Sequence, residues 1–183
     1  ATGTGKSYIA LNLSYDNKDK QILYVVPSNG IIEHIKKIIE NHPNISLESD
    51  FPNLNFRTYQ SFINMSYEEL SKLDTELLIL DEFHHIGAPV WGDRINTLLE
   101  THPNLLVFGM TAYTVRDRGT AYERDLAEEG GNELFSDKIV STFDLVDAML
   151  QGILPVPNYK SAHIGLLEMA SNIENIAASK ITG

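Results

Sequence analysis

The 183-residue chain carries 14 Lys and Arg against 25 Asp and Glu, a formal charge of −11, with 43% hydrophobic and 21% charged residues and no cysteine. That balance describes one ordinary globular domain, two at most. It excludes a disulfide framework, a thiolate metal site and a broadly basic surface for polyanions. Runs such as "LLIL" and "NLLVFGM" are too short to cross a bilayer as a helix, so no membrane partner is expected, and the lack of cysteine agrees with a reducing cytoplasm as the location.

The chain opens on "ATGTGKS". Gly5-Lys6-Ser7 match the end of the phosphate-loop pattern, Gly, four residues, then Gly-Lys-Ser/Thr, whose first glycine would fall one position before Ala1. Two readings stand at this point: a sequence cut at this loop, with the preceding strand and glycine upstream, or a chance glycine-rich turn. "SYIALNLS" then has helical spacing, with Ile9 and Leu13 on one face. "QILYVVP" predicts a fully buried strand ended by Pro27. "NGIIEHIKKIIENHP" sets Ile31, Ile35, Ile38 and Ile39 at helical intervals and turns Lys36, Lys37 and Glu40 outward.

"NFRTYQSF" is a short strand candidate, and "SYEELSKL" a short helix capped by Ser66. "ELLILDEFHH" is a buried strand running straight into acid. "WGDRINTLLETHP" predicts a helix closed by Pro103, and "NLLVFGMTA" another buried strand. Beyond residue 115, "VRDRGTAYERDLAEEGG" predicts a charged loop leading into a helix. "STFDLVDAMLQG" predicts a helix that begins near Ser141 or Thr142 and stops before Gly152. "ILPVPNY" is extended, because its prolines forbid helix. Continuous apolar strands alternating with helices predict an α/β fold of three layers around a mostly parallel sheet.

The chemistry-bearing residues fall at the ends of these elements. A glycine loop before a helix gathers backbone N–H groups around a phosphate, while lysine adds a charge and Ser or Thr a hydroxyl for Mg²⁺. Asp81 and Glu82 leave the end of "LLIL", where carboxyl ends of parallel strands converge on a ligand crevice. A hard cation on a triphosphate needs one nearby carboxylate, and hydrolysis needs a second to orient or deprotonate water. The plainer reading makes the two acids N-terminal charges of the next helix. Tyr59, beside Arg57, is likewise open to two readings, a base-stacking platform or a core aromatic.

In order and spacing, "ATGTGKS", "LLILDEFHH" and "FGMTAYT" resemble motifs I, II and III of superfamily 2 helicases, with "DEFH" a variant of the DEAD/DEAH box. "YVVPS" resembles motif Ia, and "RTYQSF" resembles the Ib region of the restriction-enzyme-like (type III restriction subunit) branch. The resemblance spans about residues 1–116 and implies a RecA-like P-loop NTPase domain, the first of two in a helicase or translocase. Residues 1–160 would form that ATP-binding domain, and 161–183 a linker or helix toward the second.

Carried over by position, the resemblance gives Thr2, Gly3, Thr4, Gly5, Lys6 and Ser7 to ATP, with Lys6 also catalytic. It gives Ser7 and Asp81 to Mg²⁺ and makes Glu82 the catalytic base. His84 would couple the site to Thr111 and Ala112, and Pro27, Ser28, Tyr59 and Gln60 would lie against a nucleic-acid backbone. Tyr113 and Thr114 depart from the motif III pattern. The function implied is Mg-ATP hydrolysis coupled to movement on nucleic acid, DNA in preference to RNA. The alternative from another class is a non-motor P-loop module that binds or regulates according to its nucleotide.

Overall fold

The computed structural model describes residues 3–83, 89–111, 115–116, 124–125, 140–143 and 145–156. Helix α1 (Lys6–Asp16) leads to strand β1 (Ile22–Val26), followed by α2 (Asn29–Glu40) and the single turn α3 (Leu47–Asp50). Strand β2 (Leu54–Thr58) runs directly into α4 (Tyr59–Ile63), and α5 (Tyr67–Ser71) precedes β3 (Leu77–Asp81). Helix α6 (Pro89–Thr101) returns the chain to β4 (Leu106–Met110). Beyond it lie β5 (Val115–Arg116), β6 (Arg124–Asp125) and α7 (Leu145–Leu150).

Strands β1 to β4 form one parallel sheet in the order β2-β1-β3-β4. The apolar runs "ILYVV" and "LLILD" are buried at every position, as strands covered on both faces must be. Strand parity divides their side chains between two cores. Leu23, Val25, Leu78 and Leu80 pack with Tyr59 and Phe62 of α4, Leu70 of α5, and Ile95 and Leu98 of α6. Ile22, Tyr24, Val26, Leu77 and Ile79 pack on the other face with Ala10 and Leu11 of α1 and Ile35 and Ile39 of α2. The result is the three-layer α/β architecture expected of a RecA-like domain.

Several local expectations meet their physical reasons. Ser66 caps α5 through a reciprocal box: its Oγ accepts from the Glu69 amide at 3.2 Å, and the Glu69 carboxylate accepts from the Ser66 amide at 2.7 Å. Gly152 closes α7 with φ +70°, and the Ile153 and Leu154 amides both return to the Ala148 carbonyl. In α1 the outcome differs. Ile9 is 53% exposed, and the helix instead buries Ala10, Leu11 and Ser14, with Ala10 and Leu11 packed in the core on this face of the sheet.

"NFRTYQSF" is also not one strand. It changes to helix at Thr58, whose Oγ1 accepts from the Ser61 amide and caps α4. The segment after residue 115, expected as a loop, contains the two-residue antiparallel pair β5–β6. The helix expected to follow it, and residues 161–183, lie outside the described residues.

Register places the site. Thr58 is level with Val26, Leu80 with Val25, and Met110 with Asp81. The next residues out, Tyr59, Pro27, Glu82 and Thr111, therefore form a row along the carboxyl edge of the four strands.

Candidate functional site

The loop before α1 turns twice through left-handed backbone, at Gly3 (φ +80°) and Gly5 (φ +87°). Side chains other than glycine are strained there. Gly5 is the N-cap residue, so no side chain caps α1, and the first turn contains no acid of its own. Helix amides and the positive end of the helix dipole thus converge where an anion would sit.

Lys6 occupies the first turn, and its Nζ lies 3.0 Å from Glu82 Oε1, with both side chains mostly shielded from water. The loop and the acidic end of β3, some 75 residues apart in the chain, therefore share one crevice. Asp81 is the deeper of the two acids, only 6% exposed, and its Oδ1 has no hydrogen-bond partner among the described residues.

Burial pushes the Asp81 carboxyl up to about 6, with the neighbouring Glu82 charge adding to the rise; the Lys6 ammonium and the Glu82 amide oppose it. A desolvated carboxylate with one oxygen unpartnered is unfavourable unless a further cation or a proton joins it. A second hydroxyl borders the same place. Tyr24 is fully buried and its hydroxyl lacks a partner of good geometry among the described residues; burial and then the Asp81 charge raise its pKa, while the Ser7 hydroxyl nearby lowers it. Ser7, Tyr24 and Asp81 therefore bring their oxygens together beside the loop. These hard oxygen donors, one carboxylate and hydroxyls, suit Mg²⁺ held mainly by phosphate and water. Among the described residues there is no cluster of three or more His, Cys, Asp or Glu.

Glu82 has φ +52° and is the one non-glycine among the described residues with positive φ. The turn that carries it out of β3 is held from below, because the Tyr59 hydroxyl donates to the Asp81 carbonyl. This resolves the two readings of Tyr59. Its ring is 6% exposed and packs in the core, so it is not presented for stacking on a base.

The other expected residues sit along the same edge. Pro27 is half-buried, and Ser28 is exposed at the N-cap of α2, where its side chain makes no cap bond. Gln60 is exposed, and its Nε2 donates to Asn64 Oδ1 at 3.3 Å. Thr111 follows β4 in the row described above. Thr2, His84 and Ala112 lie outside the described residues.

Sequence reasoning missed Tyr24 as a site residue, reading it only as part of a buried strand. The signal that finds it is parity: Tyr24 is in phase with Ile22 and Val26, and so faces α1 and its loop.

Residues 1–116 match the family model of the type III restriction enzyme res subunit. No curated protein matches the chain.

Proposed function

The chain belongs to the type III restriction enzyme res-subunit family, a family of superfamily 2 helicase N-terminal domains, and from that premise we propose that it is the ATP-binding domain of a DNA helicase or translocase, coupling ATP hydrolysis to movement on nucleic acid. The observation that carries this reading is the 3.0 Å approach of Lys6 to Glu82 beside the unpartnered Asp81 Oδ1.

In this reading the amides of residues 2–7 and the Lys6 ammonium bind the ATP phosphates. Ser7 and Asp81 hold Mg²⁺, which when bound neutralises charge on the β- and γ-phosphates. Phosphate oxygens compete with Glu82 for Lys6, and the released Glu82 carboxylate orients the attacking water and accepts its proton. His84, Thr111 and Ala112 couple the site to motion. Nucleic acid crosses the carboxyl edge at Pro27, Ser28 and Gln60, held through its backbone and hence without base readout. Residues 161–183 lead toward a second RecA-like domain, which supplies the arginine that completes the transition state. Such a residue is worth several powers of ten in related phosphoryl transfers.

The test is ATPase turnover of the full-length protein with and without single-stranded DNA. Stimulation by DNA, abolished in both Lys6→Ala and Glu82→Gln, is the expected result. Slow turnover indifferent to nucleic acid would refute the motor and leave a nucleotide-dependent binding module.

A further inference from the structure

We propose that Tyr59 is a positioning residue for ATP hydrolysis: its buried hydroxyl anchors the Asp81 carbonyl and thereby sets the direction of the Glu82 carboxylate. This rests on the functional reading above and adds to it a residue that touches neither nucleotide nor metal.

The Asp81 carbonyl and the Glu82 amide belong to one rigid peptide plane. That plane is held at both ends. Tyr59 donates to the carbonyl, and the Glu82 N–H donates to the Asp81 carboxylate. Its tilt decides where Glu82 begins its turn out of the sheet.

Glu82 adopts φ +52° there, a left-handed conformation that is unfavourable for a residue with a Cβ. Such a conformation persists only where the surroundings impose it, and the Tyr59 hydroxyl is a group that imposes it. Tyr59 is itself fixed. It opens α4 directly after the Thr58 cap, and its ring lies in the core cluster with Phe62, Leu80 and Leu98. An apolar ring alone would satisfy that cluster; the hydroxyl has its use at the turn. The chain thus braces its acidic turn from a helix on the opposite face of the sheet from α1.

Tyr59→Phe keeps the ring and removes the anchor. In the full-length protein, kcat for ATP should fall about tenfold or more, as for a misaligned catalytic group, while KM stays within about twofold because the loop at residues 3–7 is untouched. Phe62→Leu is the companion variant: it removes volume from the same cluster and leaves the Asp81 carbonyl alone. It should lower the melting temperature at least as much as Tyr59→Phe, yet hold kcat within about twofold of the parent. Lys6→Ala separates the two levels of argument. Undiminished turnover in Lys6→Ala defeats the functional reading and this proposal with it. Loss of turnover in Lys6→Ala, with Tyr59→Phe at parental kcat, overturns the positioning role alone. So does a Tyr59→Phe defect matched by Phe62→Leu, or one in which KM rises as kcat falls.

Discussion

Asp81→Asn removes a charge that the nucleotide-free fold accommodates badly, so it should stabilise the protein. Burial, reinforced by Glu82, moves the Asp81 carboxyl from its ordinary 3.8 up to about 6. With the folded-state value raised, the native protein holds this proton more tightly than the unfolded chain does. The contribution is absent below the unfolded value, becomes a growing penalty as pH rises from 3.8 to about 6, and is constant above that. A shift of that size corresponds to about 3 kcal/mol at about pH 7.5 and to well under about 1 kcal/mol near pH 4. Asparagine is nearly isosteric, and its side-chain oxygen still accepts from the Glu82 amide.

Thermal unfolding of parent and variant without nucleotide is the assay. For a domain of this size the expected gain at about pH 7.5 is roughly 6–12 °C, shrinking to about 1–2 °C near pH 4. The subtraction cancels the other carboxylates, including Asp50 and Glu69, which hydrogen bonds hold below their usual range. A variant that melts lower than the parent at neutral pH, or a gain that ignores pH, would refute the account of Asp81.

Glu82→Gln should preserve ATP binding and lower kcat by about 100-fold or more, read by steady-state turnover beside equilibrium nucleotide titration. Gly5→Ala should cost about 1–2 kcal/mol through φ alone, because an added Cβ meets nothing within 4 Å; urea unfolding measures it. By the same assay Gly30→Ala should gain about 0.5 kcal/mol, since Gly30 is helical and its nearest neighbour, Ser28 Oγ, lies at 3.8 Å. Ser66→Ala breaks the capping box of α5 and should cost about 1 kcal/mol.

Legibility in the sequence followed the range of the interactions involved. Strands β1 and β3 were readable because burial on both faces leaves an unbroken apolar run, and α2 because its isoleucines recur at helical intervals. The Ser66 cap needs only three residues of context. Helix α1 was readable as a helix, but its face was not. Tyr8, Ile9, Ala10, Leu11 and Leu13 surround the axis with apolar groups, so the choice fell to the core on that face of the sheet, which takes in Ala10 and Leu11. The change to helix at Tyr59 was hidden because Thr58 and Tyr59 both favour strands.

At the site, Gly5-Lys6-Ser7 and Asp81-Glu82 stand out locally, because phosphate loops and strand-end acids carry their chemistry in consecutive residues. The Tyr59 bond to Asp81 spans 22 residues and leaves no local mark. The positive φ of Glu82 is equally silent, since glutamate does not advertise a left-handed turn as glycine does.

One neighbour of the phosphate loop comes from the far end of the described chain. A Cβ built on Gly3 would stand 3.3 Å from Leu154 Cδ2, so the stretch just past Gly152 leans on the very turn that would clasp ATP. Leu154 in turn sits on backbone pinned to Ala148 by two hydrogen bonds. A side chain more than 150 positions downstream thus borders the turn directly.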